Sequence, residues 1–150
     1  MLIFPEPTNR LSIFSSGLVI GSLAELQINL SDTSGLQAID LLLGYDESIF
    51  SIPTSSAVYT STTLTSGWTF LLNTNVPGQI NISGFGISPL GTNSGALLNL
   101  NLDVNNGIVP GATTLKLLSA SLNEDTIPVS LANLTAQTNY GSHNISVPPG

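Results

Sequence analysis

The feature that most constrains the fold of this chain is a period-two alternation of apolar and polar residues, which recurs in short segments. Residues 24–30 place Leu26, Ile28 and Leu30 on one side, with polar residues between them. A period of two is the side-chain repeat of a β-strand that buries one face. Turn residues interrupt the pattern about every ten positions, a spacing typical of sandwiches and barrels. The chain is therefore predicted to be all-β.

The segments and the turns between them divide the chain into nine predicted strands. These are residues 11–14, 24–30, 37–45, 49–52, 68–72, 79–85, 95–104 and 114–120, with a last strand within 128–138. Residues 54–67 are rich in Ser and Thr without a clear period, which favours a loop. We expect a single domain at 11–140, an extended lead-in at 1–10 and a flexible tail at 141–150.

Two facing sheets would bury the inward residues of these strands against each other, so the expected architecture is a β-sandwich. The predicted inward residues include Leu26, Ile28, Leu30, Ile39, Leu41, Leu43, Tyr45, Trp68, Phe70, Leu72, Ile80, Ile82, Leu98, Leu100, Leu102, Val104, Leu115 and Leu117. Because Trp68 and Tyr45 are expected in the core, few aromatic side chains are left for the surface.

Charge excludes several classes of partner. Charged residues are 7% of the chain, against roughly 25% in typical soluble domains. The net charge is −7, and the two cations are Arg10 and Lys116. Nucleic-acid binding needs clustered cations that displace phosphate counterions, so this function is excluded, and an anionic membrane surface is disfavoured. Without cysteine the chain has no disulfide and no thiolate metal site.

Apolar runs such as Leu41–Leu43 are interrupted every few residues by polar ones, whereas a membrane-spanning helix needs about 20 apolar residues. The first residues meet Pro5 and Pro7 and lack the basic start of a signal peptide. We therefore expect no membrane insertion and interpret the start as a linker-like segment. The Ser-, Thr-, Asn- and Gly-rich composition suits a secreted or cell-surface module.

Several segments carry a resemblance. Residues 35–46 read GLQAIDLLLGYD and are followed by Glu-Ser-Ile-Phe. Later segments are GQINI, GALLNLNLDV, GATTLKLLSASLNE and Ile-Pro-Val, at residues 78–82, 95–104, 111–124 and 127–129. In this order, across residues 11–140, they resemble the cohesin family, whose early strand ends in Tyr-Asp-x-x-hydrophobic. Two departures leave the cohesin type open, because Ile20-Gly21-Ser22 replaces the usual Pro-Gly turn and the usual lysines are missing.

The resemblance implies a nine-stranded jelly-roll sandwich that binds a dockerin, a small calcium-loaded helical module on another protein. Such pairs attach extracellular proteins to scaffolds or cell surfaces. Calcium is then expected on the dockerin-like partner, and no cofactor, metal ion or catalytic residue is expected on this chain.

In the family the partner lies across the third, fifth, sixth and eighth strands. Carried onto this chain, the partner-binding positions are Ala38, Asp40, Leu42, Leu71, Asn73, Asn81, Ser83, Phe85, Lys116 and Leu118, with Gly44 also outward. Asp40 matches an acidic position that contacts polar groups of the partner in classical members. Ala38 departs from the family, because an Asn is common there and one expected hydrogen bond is lost.

The same positions can be interpreted from physical chemistry alone. Leu42, Leu71, Phe85 and Leu118 are large apolar side chains predicted to point away from the core. If their strands are neighbours, the four form one exposed patch with Phe85 as the natural anchor, and such patches mark interfaces. An apolar sheet face could also pair with itself, so weak self-association stays open.

Other chemistry has weaker support in the sequence. His143 stands alone in the tail, without the partners of a catalytic triad. The adjacent pairs Asp46-Glu47 and Glu124-Asp125 fall in turns, where carboxylates cap backbone groups. A calcium site at either turn stays open, but no DxDxDG loop is present. The N-x-S/T sequons at Asn29, Asn81, Asn133 and Asn144 are expected by chance in an Asn-rich chain.

Two alternatives to a protein-binding module remain. A carbohydrate-binding or adhesive module of similar fold would present coplanar exposed aromatic side chains, to which Tyr59 and Tyr140 are candidates. A structural spacer would present no exposed apolar patch. An enzyme is the class with the least support.

Overall fold

The structure, a computed structural model of the chain, describes residues 9–15, 17–52, 58–59 and 63–140. Most of the predicted lead-in and the whole predicted tail, with His143 and Asn144, lie outside the described residues. The same holds for residues 53–57 and 60–62, which include part of the loop predicted at 54–67. Within the described residues, no helix has the length and apolar character needed to cross a bilayer.

The described residues form twelve strands and no helix. The strands are β1 (Arg10–Ser15), β2 (Leu18–Val19), β3 (Leu23–Leu30), β4 (Ala38–Gly44), β5 (Phe50–Ser51), β6 (Val58–Tyr59), β7 (Thr69–Asn73), β8 (Gln79–Phe85), β9 (Gly95–Val104), β10 (Ala112–Leu122), β11 (Ser130–Ala132) and β12 (Leu134–Asn139). The all-β prediction is confirmed, and β8 and β9 have the predicted bounds.

The strand number exceeds the predicted nine for two reasons. The two-residue strands β2 and β6 were not predicted, because two residues are too short to show a period. The last predicted strand is also divided at Asn133, where the chain passes from one sheet to the other. There the Asn133 Oδ1 atom accepts a hydrogen bond of 2.8 Å from the Leu117 N–H, which fixes the crossing point to β10.

Two six-stranded sheets form the sandwich. Sheet 1 has the order β11-β1-β3-β9-β5, and β6 also pairs with β9. Sheet 2 has the order β2-β12-β10-β4-β8-β7. All pairings are antiparallel except β1 with β11 and β2 with β12, which are parallel. The predicted β-sandwich is confirmed.

The core lies between the sheets and includes most of the residues that the alternation predicted to point inward, together with others such as Leu36, Phe50 and Leu97. Buried members of this set are Leu26, Ile28, Leu30, Ile39, Leu41, Leu43, Ile80, Ile82, Leu98, Leu100, Leu102, Val104, Leu115 and Leu117. Each buried Leu or Ile side chain contributes about 1.5–3 kcal/mol relative to exposure. Since the chain has no cysteine to form a disulfide, this repeated burial holds the two sheets together.

Two glycines make room for the aromatic side chains of the sheet 2 edge. Phe70 is the direct partner of Gly84 across the β7–β8 pair, and a Cβ atom added to Gly84 would collide with the Phe70 ring. A Cβ atom on Gly86 would collide with the Trp68 indole in the same way. The two rings stack at 6.3 Å and pack against the core. The predicted inward orientation of Trp68 is confirmed, whereas Leu72 at the sheet edge is 39% exposed.

A turn after β10 fixes the start of β4. The Asn123 Oδ1 atom accepts hydrogen bonds from the N–H groups of Gln37 and Ala38, at 2.7 and 3.0 Å. Its Nδ2 group donates to the Gly35 carbonyl at 2.7 Å. Asn123 has a φ of 50°, in the left-handed region that asparagine tolerates better than most residues. The turn therefore holds β4 beside β10 and positions the outer surface of sheet 2.

Candidate partner-binding face

The candidate face is the outer surface of sheet 2, formed by β7, β8, β4 and β10. Residues directly opposite one another on paired strands share a face, so the register arranges the outward side chains in rows. The rows are Thr69–Phe85–Ala38, Leu71–Ser83–Asp40–Ser121, Asn73–Asn81–Leu42–Ser119 and Gln79–Gly44–Lys116. Every position that the resemblance assigned to partner binding lies on this surface, with Leu118 between two rows. Their role in binding stays a prediction.

A β-bulge at Leu118 shapes one side of the candidate face. Leu117 pairs with Leu43 and Ser119 pairs with Leu42, so Leu118 is an extra residue on β10. A bulge interrupts the strict alternation of sides. Leu118 and Ser119 are consequently both exposed. Sequence periodicity could not reveal this, and the outward residues Ser119 and Ser121 were missed.

Leu118 covers the glycine on the neighbouring strand. A Cβ atom added to Gly44 would lie 3.1 Å from the Leu118 Cδ1 atom. Gly44 is consequently buried even though its position faces outward. The Leu118 side chain itself remains 45% exposed and forms a ridge on the candidate face.

The exposed apolar side chains form two pairs rather than the single predicted patch. Leu71 and Phe85, 65% and 52% exposed, lie diagonally across β7 and β8, a separation of about 7–8 Å. Leu118 and the half-buried Leu42 form the second pair on β10 and β4. Phe85 is in register with Ala38, four residues before Leu42, or about 13 Å along the strands. The predicted arrangement of polar residues around one apolar centre is therefore wrong.

Polar residues lie between the two apolar pairs, because Ser83 and Asp40 continue the row of Leu71 and Asn81 continues the row of Leu42. The Ser83 hydroxyl donates to the Asp40 Oδ1 atom at 3.1 Å, and its oxygen also lies 3.3 Å from the Asn81 Oδ1 atom. Since a hydroxyl has one proton, Ser83 can satisfy one of these acceptors at a time. Asp40 is exposed, so the carboxylate keeps acceptor capacity for a partner.

The candidate face carries little charge. Asp40 and Lys116 are its charged residues, and neither forms an ion pair with any residue in the described part of the chain. Most of the remaining outward side chains are hydroxyl, amide or apolar groups. This surface therefore offers shape, apolar contact and a few hydrogen bonds, and little charge.

A groove of about 660 Å³ adjoins the candidate face at Lys116 and Leu118. Its other walls are residues 44–47 at and after the end of β4, residues 77–79 at the start of β8, and residues 112–114 of β10. Asp46 belongs to this rim, and its Oδ1 atom accepts hydrogen bonds from the Ser48 hydroxyl at 2.6 Å and the Ser48 N–H at 2.9 Å. These bonds lower the pKa of Asp46 below its usual value. Asp46 thus has the turn-capping role predicted for it.

The other predicted acidic pair lies in the turn after β10. Glu124 and Asp125 continue the left-handed backbone of Asn123, with φ values of 55° and 68°. Both side chains are exposed. Among the described residues, no three His, Cys, Asp or Glu side chains gather as a metal site would require.

The exposed aromatic side chains lie on different sides of the molecule. Phe85 belongs to sheet 2, whereas Phe14, 56% exposed, belongs to β1 of sheet 1. Tyr140, also 56% exposed, follows the last strand. A flat platform of coplanar aromatic rings is absent from the described residues. The side chain of Tyr59, the other predicted contributor to sugar binding, is not among those that the structure describes.

Comparison with solved structures identifies the fold. The structure is similar to a non-cellulosomal cohesin from the hyperthermophilic archaeon Archaeoglobus fulgidus, with a TM-score of 0.68 and 16% sequence identity over 87% of this chain and 91% of that chain. It is similar to a chain of a type I cohesin–dockerin complex from Clostridium thermocellum, with a TM-score of 0.67 and 15% identity over 88% and 99% of the two chains. A type II cohesin domain from the cellulosome of Acetivibrio cellulolyticus gives a TM-score of 0.64 and 15% identity over 89% and 96%.

No family model matches the sequence, and no curated protein matches it. The structural likeness nevertheless extends over most of this chain and nearly all of each related chain. It includes cohesins of type I, type II and non-cellulosomal origin, which agrees with the resemblance carried by residues 35–46 and the later segments. The chain has the jelly-roll fold of the cohesin domains.

Proposed function

We propose that this chain is a non-catalytic module that binds a dockerin-like partner on the candidate face of sheet 2. In this role it would assemble extracellular proteins or attach them to a surface. The single observation that carries the proposal is the register of β7, β8, β4 and β10, which gathers two apolar pairs and an exposed carboxylate on one surface. Similar chains come from cohesin–dockerin complexes, as in Clostridium thermocellum.

The physical case for an interface rests on exposure. Three large apolar side chains, Leu71, Phe85 and Leu118, are between 45% and 65% exposed on this one face. Large apolar side chains that are exposed together on one face, with polar groups between and around them, are typical of protein interaction sites. Aromatic side chains are enriched among the residues that dominate binding energy, which favours Phe85 as an anchor.

Asp40 supplies the polar part of the same interface. Its carboxylate accepts one hydrogen bond from Ser83 and has room for donors from a partner. A hydrogen bond to a charged acceptor contributes about 1.5–3 kcal/mol, more than a neutral one. The partner is therefore expected to place a hydroxyl or amide donor opposite Asp40, between two apolar contacts.

The test is a calorimetric titration of the chain with dockerin modules from the same genome, with calcium and with a chelator. We expect calcium-dependent binding, because the dockerin-like partner would need calcium to fold its binding helices. Phe85→Ala and Asp40→Ala should each weaken binding by at least about tenfold, or about 1.4 kcal/mol.

Phe14→Ala is the matched control, because Phe14 is as exposed as Phe85 but lies on the opposite sheet. It should leave the affinity within about twofold. Equal weakening by Phe14→Ala and Phe85→Ala would place the interface elsewhere. Failure to bind any dockerin, together with retention on a polysaccharide, would overturn the proposal in favour of a carbohydrate-binding module.

A further inference from the structure

Among the described strands, β7 is the last strand at one end of sheet 2 and has a neighbour on one side only. It pairs with β8 alone, in a register without a bulge. Its five residues, Thr-Phe-Leu-Leu-Asn, include no charged residue and no proline. Natural sheets usually block such edges with lysine, proline, a bulge or a covering segment, because an open edge accepts another strand.

The hydrogen-bonding direction of β7 follows from its neighbours. The Gly86 N–H donates to the Gln37 carbonyl, just beyond one end of the β4–β8 pair. The Tyr45 N–H donates to the Gly78 carbonyl, just beyond the other end. Since residues 78 and 86 both bond towards β4, the even-numbered residues of β8 bond to β4. Odd-numbered residues of β8 consequently bond to β7, at their partners Thr69, Leu71 and Asn73.

The alternation of an antiparallel ladder then directs the N–H and C=O groups of Phe70 and Leu72 away from β8, towards the open edge. None of these four groups has a hydrogen-bond partner among the described residues. The edge therefore presents two residues that are ready for a further strand.

We propose that β7 pairs with β7 of a second copy of this chain, antiparallel about a twofold axis through Leu71. In this register Phe70 faces Leu72 of the second copy, and Leu72 faces Phe70 of the second copy. The two pairs exchange four hydrogen bonds, which satisfy every open backbone group of the edge in both copies. The edge is thus self-complementary, as a closed twofold interface requires.

The side chains agree with the same register. Leu71, the most exposed of the described leucines, meets Leu71 of the second copy on the outer face, as a close non-hydrogen-bonded pair. Leu72, 39% exposed at the edge, gains the Phe70 ring of the second copy as a neighbour. Both contacts bury apolar surface that the single chain leaves in water.

Charge does not oppose the pairing, although each copy has a net charge of −7. The twofold axis passes through the row of Leu71, Ser83 and Asp40. The nearest charged residue in this row is Asp40, on β4, two strands away from β7. The two Asp40 carboxylates would be five strand spacings apart, or about 24 Å. The Debye length at physiological salt is about 8 Å, so this repulsion is screened.

The dimer would join the two copies of sheet 2 into one continuous sheet. The two candidate faces would then lie side by side, and Leu71 at the edge of each face would also contact the second copy. Because a single strand pair buries less than a standard interface, the association is expected to be weak, with a dissociation constant of about 0.1–1 mM. The sequence left open a weak self-association through an apolar sheet face. The proposed dimer instead forms through the edge strand β7.

The experiment is sedimentation velocity of the 150-residue chain without any partner, from about 10 µM to about 1 mM. The weight-average mass should rise from 15.6 kDa towards twice this value. Leu72→Pro should remain monomeric throughout, because it removes an edge N–H that has no partner among the described residues. Leu72→Ala removes the same side chain but keeps the N–H, and should still dimerise.

A second pair of variants tests the same interface without proline, in case Leu72→Pro does not fold. Leu71→Lys places two ammonium groups opposite each other at the twofold axis and should abolish the dimer. Val109→Lys makes a similar apolar-to-lysine change at a 79% exposed loop residue and should leave the dimer unchanged. A wild-type chain that stays monomeric at about 1 mM, or a dimer that survives in both Leu72→Pro and Leu71→Lys, would overturn the proposal. Dockerin binding is absent from this assay, so the two proposals fail independently.

Discussion

The side chain of Leu118 lies directly over Gly44 on the neighbouring strand, and the Leu118 Cδ1 atom would be 3.1 Å from a Cβ atom at Gly44. The bulge on β10 and the missing side chain on β4 together seat this leucine on the candidate face. The position of Leu118, a predicted contact residue, thus depends on Gly44, which has no side chain with which to contact a partner.

We predict that Gly44→Ala weakens partner binding more than it weakens the fold. The new methyl group would push Leu118 outward by a few tenths of an ångström, and Leu118 can yield because it is 45% exposed. We expect affinity for a dockerin to fall about threefold to tenfold and stability to change by less than about 1 kcal/mol. Calorimetry and urea unfolding measure the two effects, and a large stability loss with unchanged affinity would contradict this account.

Gly84→Ala should strongly destabilise the fold. Gly84 faces the core, and any Cβ atom there collides with the Phe70 ring, which is held between Trp68 and the sheet. Overpacking of this kind costs about 1–3 kcal/mol. The control is Gly91→Ala, since a Cβ atom at Gly91 meets no atom within 4 Å. Urea unfolding of both variants should show a lower midpoint for Gly84→Ala, and equal midpoints would show that Phe70 moves aside freely.

Asn123 should be one of the most sensitive polar residues. Asn123→Ala removes three hydrogen bonds that hold the start of β4 and places alanine at a φ of 50°. We expect a loss of about 2–4 kcal/mol in the free energy of unfolding. Asn123→Gly loses the same bonds without the backbone penalty and should cost about 1–2 kcal/mol less. Thermal unfolding of the pair measures the difference, and identical losses would mean that the backbone conformation carries no strain.

Acid should weaken the fold through two capping aspartates. Hydrogen bonds from the side chain and then the backbone of Ser48 lower the pKa of Asp46, and those of Ser34 lower the pKa of Asp32 in the same way. Because the folded-state pKa lies below the unfolded value, the stabilisation is present above about pH 4. It is lost as the pH falls through the lowered pKa of the folded state.

Ser48→Ala tests this pH dependence, since it removes the larger of the two causes at Asp46. The variant should raise the pKa of Asp46, as followed by NMR of the carboxyl carbon. Its unfolding midpoint should also fall less steeply than that of the wild type between pH 5 and pH 2. A pKa of Asp46 that does not move in the variant would show that the hydroxyl bond is not formed in solution.

The strands and their inward sides were predictable because alternation is a local property of the backbone. Residues 79–85 and 95–104 were predicted with the observed bounds, and inward residues such as Ile80 and Leu100 are buried as expected. One-sided burial requires this pattern wherever the strand lies in the sheet. The ordered motifs of the resemblance added the fold family, which the structural comparisons support.

Local pattern could not predict where alternation stops. Leu97 and Leu98 are both buried because β9 contains an extra residue opposite β3. Leu118 and Ser119 are both exposed because β10 contains an extra residue opposite β4. A bulge depends on the register of two strands that are distant in sequence. For this reason the missed outward residues cluster beside the bulge.

The sequence by itself determined an all-β chain, the two sides of most strands, and the outward orientation of residues such as Asp40 and Phe85. Only the tertiary structure decided which strands became neighbours, and therefore that the apolar residues form two pairs with Asp40 and Ser83 between them. The same pairing decided that β7 has a neighbour on one side only among the described strands. The physical reason is that side-chain alternation is encoded residue by residue, whereas neighbourhood and register are set by long-range pairing over the whole sandwich.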